Sequence, residues 1–134
     1  MASLTFYFDR NFGKRFPEAL DRMKPPFKVE WQHNKSNNFP QDMRDDQWLE
    51  ICGRNGWIAF SHDQKFHTVT AEAMAIRQHN VGCFYLPGAS VPTFEKVQFF
   101  FKAYARITAV AALVSRPYLY RVMPSGRIQQ VTLP

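Results

Sequence analysis

Apolar and polar positions along the chain repeat with two periods, and the changes of period divide it into strands and helices. Leu4 to Phe8 is a mostly apolar, aromatic, uncharged run, which predicts a strand. From Lys14 to Met23, the residues Phe16, Ala19, Leu20 and Met23 recur at helical spacing. Pro17 falls in the first turn of that helix, and Pro25-Pro26 forbids its continuation. Phe27 to Trp31 predicts a second strand, and the polar segment QHNKSNNFPQDMR predicts a long loop. Asp45 to Arg54 predicts a helix with Trp48, Leu49, Ile51 and Cys52 on its apolar face. Asp45 is its expected cap, Asp46 suits the positive end of its dipole, and Asn55-Gly56 ends it in a left-handed turn.

Trp57 to Phe60 predicts a third strand that stops at Ser61-His62-Asp63. Thr68 to Gln78 predicts a helix closed by Asn80, and Val81 to Leu86 a fourth strand. Thr93 is the expected cap of a long helix reaching about Val114. The second half of that helix, ITAVAALV, is apolar on nearly every side, which calls for central burial or a covering partner subunit. PYLYRVMPSGRIQQVTL alternates around Pro124-Ser125-Gly126 and predicts a β-hairpin. Strands and helices thus take turns, which predicts an α/β fold: a mainly parallel sheet with helices on both faces and a C-terminal hairpin.

Composition narrows the function classes. A chain of 134 residues predicts a single domain over 1–134, and 46% apolar residues supply a core that disordered chains lack. Cys52 and Cys83 each sit within an apolar pattern and read as buried free thiols, with no zinc spacing. Asp9 and Arg10 interrupt the first apolar run too early for a signal peptide, and Ile107 to Val114 is too short to cross a bilayer. The expectation is a cytoplasmic protein with no membrane association. The net charge of +6 points to an anionic partner, nucleic acid first, with plain solubility as the alternative.

Candidate chemistry lies in the acids. Ligands of open parallel sheets bind beyond the carboxyl ends of the strands. Asp9 follows the first predicted strand and Asp63 the third, while Asp45 and Asp46 begin the helix feeding the third strand. All therefore fall at one sheet edge. Like charges ~4 Å apart repel by about 4 kcal/mol at an effective dielectric near 20, and a hard divalent cation removes that cost. Mg²⁺ or Mn²⁺ held by such acids activates water and stabilises the departing oxygen of a phosphodiester. Taken singly, Asp9 reads as a turn residue, Asp45 as an N-cap, and Asp63 as closing a turn with Ser61.

At these residues the chain resembles PIN-like domains, the nuclease fold of VapC-type toxins. Compact members open with a strand and DEN, and later read D-x-x-x-L … G … T-x-D. Here the first element is FDRN, with Asp9 and Asn11, and the second is DDQWLEICGRNGWIAFSHD. The spacing from Asp45 through Leu49 and Gly56 to Ser61 and Asp63 fits without a gap, and PYLYRVMPSGRI is similar to the tail of one toxin-like subgroup. The resemblance implies metal-dependent RNA cleavage with Asp9, Asp45 and Asp63 as metal-binding acids. Asp46 rivals Asp45, Ser61 supports the site, and Asn11 orients Asp9. It also implies a cognate antitoxin. Many relatives carry a fourth acid in patterns such as DKDF, whereas this chain reads DQKF, with Lys65 at that place.

Arg10, Lys14, Arg15 and Lys65 are candidate RNA contacts, each with a simple solvated role as its alternative. His62 and His67 lack the spacing of a helical metal pair and read as surface histidines. Trp31, Trp48 and Trp57 read as core, and of Phe99, Phe100 and Phe101 at least one faces a dimer partner or an antitoxin segment. The expectation is an Mg²⁺- or Mn²⁺-dependent endoribonuclease, the toxin of a toxin–antitoxin pair. Its rivals are an inactive RNA- or protein-binding module of the same fold and a response-regulator-like phosphoacceptor.

Overall fold

A computed structural model describes residues 4–32, 34, 39, 43–62 and 70–133, with the side chains of Asn11, Asp45, Thr70 and Ala71 excepted. Six strands form one sheet: β1 (Thr5–Phe8), β2 (Lys28–Trp31), β3 (Ile58–His62), β4 (Gly82–Leu86), β5 (Tyr118–Val122) and β6 (Ile128–Gln130). Their spatial order is β2-β1-β3-β4-β5-β6. The first five strands run parallel, and β6 returns antiparallel to β5. Among the described residues the α-helices are α1 (Arg15–Arg22), α2 (Asp45–Asn55), α3 (Thr70–Gln78) and α4 (Thr93–Leu113), and a 3₁₀ turn covers Arg10–Phe12. This is the expected α/β sheet with its C-terminal hairpin.

Alternate side chains of each strand feed two cores. Phe6, Phe8, Phe60 and Phe84 pack with Phe16 of α1 and Phe100 of α4 on one face. Tyr7, Ala59, Cys83 and Leu119 pack with Trp48, Leu49 and Cys52 of α2 and Ile76 of α3 on the other. Cys52 and Cys83 are buried and form no disulfide. The strand sequences read as near-continuous apolar runs because both faces are covered.

Several local expectations change. Asp45 is the first helical residue of α2 and not its cap. Arg44 occupies the cap position in extended geometry, and its backbone N–H donates to Gln47 Oε1 at 2.9 Å. The glutamine three residues on thus accepts from the cap residue's own backbone N–H, one half of a capping box. Thr93 likewise lies inside α4, with Pro92 at the cap. Strand β3 continues through Ser61 and His62, because β4 offers partners as far as Leu86. Met23 leaves the predicted apolar face of α1 and is 58% exposed. The end of α4 is buried on one side only: Ile107 and Val110 are covered, whereas Leu113 is 83% exposed. Among the described residues no helix is long and apolar enough to cross a membrane.

Candidate active site

The strand order reverses between β1 and β3: the chain leaves β1 toward β2 on one side and reaches β3 on the other. A crevice opens at such a switch point beyond the carboxyl ends of the strands. Asp9 stands there. Its backbone N–H still donates to Phe60 O at 3.1 Å, so the residue is held by the sheet although β1 has ended. Its side chain is only 2% exposed. A carboxylate in that position needs strong partners, and Ser61 of β3 supplies one, donating from Oγ to Asp9 Oδ2 at 2.6 Å. The bond fixes the carboxylate's direction and occupies one of its roughly four acceptor positions.

The charge of Asp9 reaches into α2. Burial pushes the Cys52 thiol well above its ordinary value, and the nearby Asp9 adds to the effect. Cys52 is therefore a neutral packing group. α2 joins β3 through Gly56, which takes the left-handed conformation (φ 70°), so the first residue of α2, Asp45, begins at the carboxyl edge of the sheet. The Asp45 side chain lies outside the description. Asp46 is exposed and paired with Arg44 at 3.1 Å, and that hydrogen bond holds its carboxyl below the usual range. Asp63, Lys65 and His67 lie outside the described residues, as does the Asn11 side chain. Among the described residues no group of three His, Cys, Asp or Glu side chains is arranged to hold a metal. The donor chemistry at the crevice, a buried carboxylate beside a hydroxyl, is that of hard cations.

His62 corrects the sequence reading. It is 2% exposed, with its ring stacked on Phe12 at 4.0 Å, and is not a surface residue. Because β3 runs on, position 62 falls on the α1/α4 face with Phe60. Burial first, and then the Lys96 charge, lower its pKa from 6.5 to about 4, with the Leu86 backbone a weaker opposing influence. Neither ring nitrogen has a full hydrogen bond. Neutral and enclosed, His62 is no phosphate contact at pH 7. Arg10, Lys14 and Arg15 are exposed, in the turn after Asp9 and at the start of α1.

Sequence reasoning missed how far the polar level extends. On the α2/α3 face, Gln32 and Asp9, just past the ends of β2 and β1, continue into Ser61, Tyr85, Arg121 and Gln129 of β3 to β6 as one row, each beside the next. Tyr7 donates to Gln32 Oε1 at 2.8 Å, and Tyr85 donates to Glu72 Oε1 of α3 at 3.0 Å. The signal was present, since Tyr85 and Arg121 stand near the carboxyl ends of their strands as Asp9 and Ser61 do.

A family model described as a PIN-like domain matches residues 4–88, from the start of β1 to the loop after β4. No curated protein and no solved structure matches the chain. The matched stretch spans well over half of the 134 residues and includes Asp9, both aspartates at the start of α2, Ser61 and Asp63. The chain belongs to the PIN-like domain family, whose members are generally nucleases.

Proposed function

We propose that the protein is an Mg²⁺- or Mn²⁺-dependent endoribonuclease, acting as the VapC-type toxin of a toxin–antitoxin pair, with RNA as substrate, a cognate antitoxin as partner and a homodimer as its assembly. The observation that carries the reading is the Asp9 carboxylate, buried at the sheet's switch point and gripped by Ser61 in a chain of a nuclease family. Asp9, Asp45 and Asp63 would hold the ion. Asp45 is preferred to Asp46, whose carboxylate is engaged by Arg44 on the solvent side. When bound, the ion supplies electrophilic charge to the phosphodiester and acidifies water. Ser61 keeps Asp9 in one orientation, and the surrounding apolar residues keep bulk water from its back. Asn11 orients Asp9 from the following turn. Arg10, Lys14, Arg15 and Lys65 attract and steer the RNA backbone.

The test is direct. Purified protein is incubated with mixed RNA, with and without Mn²⁺, beside Asp9→Asn. Cleavage that needs Mn²⁺ and disappears in the variant supports the proposal; equal cleavage by both overturns it. A second reading, a binding module without chemistry, is favoured by Lys65 standing where many relatives carry a fourth acid. That module would bind RNA without cleaving it and would show no saturable Mn²⁺ binding lost in Asp9→Asn.

A further inference from the structure

The net charge of +6 is not spread along the chain. Residues 1–95 hold 11 basic and 11 acidic side chains, whereas residues 96–134 hold 6 basic and none acidic. This segment of one sign supplies most of α4 and the β5–β6 hairpin, all of it beyond the residues that the family model matches. Between α4 and the hairpin lies a groove of about 440 Å³, lined by Arg106, Met123, Arg127, Ile128 and Gln129. Arg106 Nη1 donates to Gly126 O at 3.2 Å, and a Cβ on Gly126 would come within 2.7 Å of the Lys102 carbonyl oxygen. The hairpin turn is therefore seated on α4, and the groove is preformed. Arg127 is exposed, and its guanidinium has no ion pair or hydrogen bond among the described residues. No carboxylate lines the groove, while Met123 and Ile128 give it an apolar side.

β6 is also an edge of the sheet. Met123 N–H donates to Arg127 O at 2.7 Å and Val131 N–H to Leu119 O at 2.8 Å, so Arg127, Gln129 and Val131 turn their backbone groups toward β5. Ladder alternation then points the N–H and C=O of Ile128 and Gln130 outward, where no further described strand pairs with them. A row of open peptide groups beside a basic groove selects its occupant. A phosphate backbone matches the arginines, but neither the strand repeat of these peptide groups nor the apolar Met123 and Ile128. A second copy of this face would bring like charge against Arg127. An extended peptide with acidic side chains meets all three features. We infer that β6 and this groove dock an extended acidic segment of a partner protein, added to the sheet beside β6, with carboxylates at Arg127 and Arg106 and an apolar side chain against Met123 and Ile128. The inference stands whether or not the crevice at Asp9 cleaves RNA.

The probe is a fluorescent peptide with valine and threonine at its centre and glutamates at both ends. Its affinity is measured for wild type, Arg127→Gln, the double variant Arg106→Gln with Arg127→Gln, and Gln130→Pro. Saturable binding to wild type is expected, weakened about threefold by Arg127→Gln and about tenfold by the double variant. Hydrogen exchange at the Ile128 and Gln130 amides should slow when the peptide binds. Gln130→Pro removes an outward N–H, leaves the ladder to β5 intact, and should weaken binding about tenfold. Thermal unfolding checks each variant. If a variant fails to fold, the same peptide methylated at its backbone nitrogens decides on wild type, since it keeps every side chain and should not bind. A peptide with lysine in place of glutamate should not bind either. Equal binding by the methylated or the lysine peptide overturns the inference, as does glutamate peptide that fails to saturate or leaves both amides unprotected. A metal-free oligoribonucleotide that loses affinity in the double variant, and that the glutamate peptide does not displace, makes the groove a nucleic-acid contact and also overturns the inference. None of these results bears on Mn²⁺-dependent cleavage lost in Asp9→Asn, so the two readings fail separately.

Discussion

Asp9 is enclosed, and its carboxylate accepts a hydrogen bond from another strand's hydroxyl at 2.6 Å. Asp9→Asn keeps the shape but removes the charge. Cleavage should fall by more than about a hundredfold while thermal unfolding changes little. Ser61→Ala should retain cleavage at a level reduced roughly ten- to a hundredfold, since it unfastens the carboxylate without removing it. His62 makes the fold sensitive to acid. Its ordinary pKa of 6.5 drops to about 4 in the folded chain. Between those values the unfolded chain binds a proton that the folded chain refuses, so stability falls as pH drops through that window and levels off below it. The loss should approach roughly 3 kcal/mol by pH 4. Urea unfolding at pH 7 and pH 4.5, with chelator present, should show the loss in wild type and a much smaller one in His62→Phe; equal losses would remove His62 as the cause. Asp9 was legible in the sequence because a carboxylate ending an apolar strand is conspicuous. His62 was not, because Ser-His-Asp looks like a polar turn and only pairing with β4 shows that the strand continues.

Elements followed from hydrophobic periodicity nearly throughout, since period and length distinguish a covered parallel strand from a helix with one apolar face. Strand order did not follow, because periodicity assigns a face and names no neighbour. The switch between β1 and β3, which makes Asp9 and Ser61 touch, became visible only with the sheet assembled. Close approach between elements was equally hidden. Gly53 lies inside α2, where glycine ordinarily costs about 1 kcal/mol relative to alanine. A Cβ there would drive into the backbone carbonyl of His79, just beyond α3. Gly53→Ala should therefore destabilise despite its better helix propensity, by about 1–3 kcal/mol. Because α2 carries Asp45, it should also lower cleavage, which a melting curve and an assay on the same sample would register. A variant that gained stability would mean that α2 and α3 can part without cost.

At the scale of the whole molecule, exposed cations stand at both edges of the sheet. Arg10, Lys14 and Arg15 follow the buried acid at the carboxyl edge, while Arg22, Lys24, Lys28, Arg54, Arg77 and Arg116 lie toward the amino edge, where the Arg116 guanidinium is near Gly56 at the end of α2. The net +6 alone would attract any polyanion to any face, and only a comparison of edges separates steering from general attraction. Each cation that meets an RNA phosphate releases counterions and contributes about 0.7 to the salt slope on a single strand. Replacing Arg10, Lys14 and Arg15 together by glutamine should make that slope shallower by roughly 2 and weaken binding at low salt. Arg116→Gln, which changes net charge at the far edge, should leave the slope within about 0.2, since an exposed charge beyond a Debye length of ~10 Å is screened from the bound strand. Equal, small losses from both variants would mean that RNA adheres to the positive surface wherever it lands. In that case a basic protein needs no track, and the crevice at Asp9 would have no claim on the nucleic acid that its charge attracts.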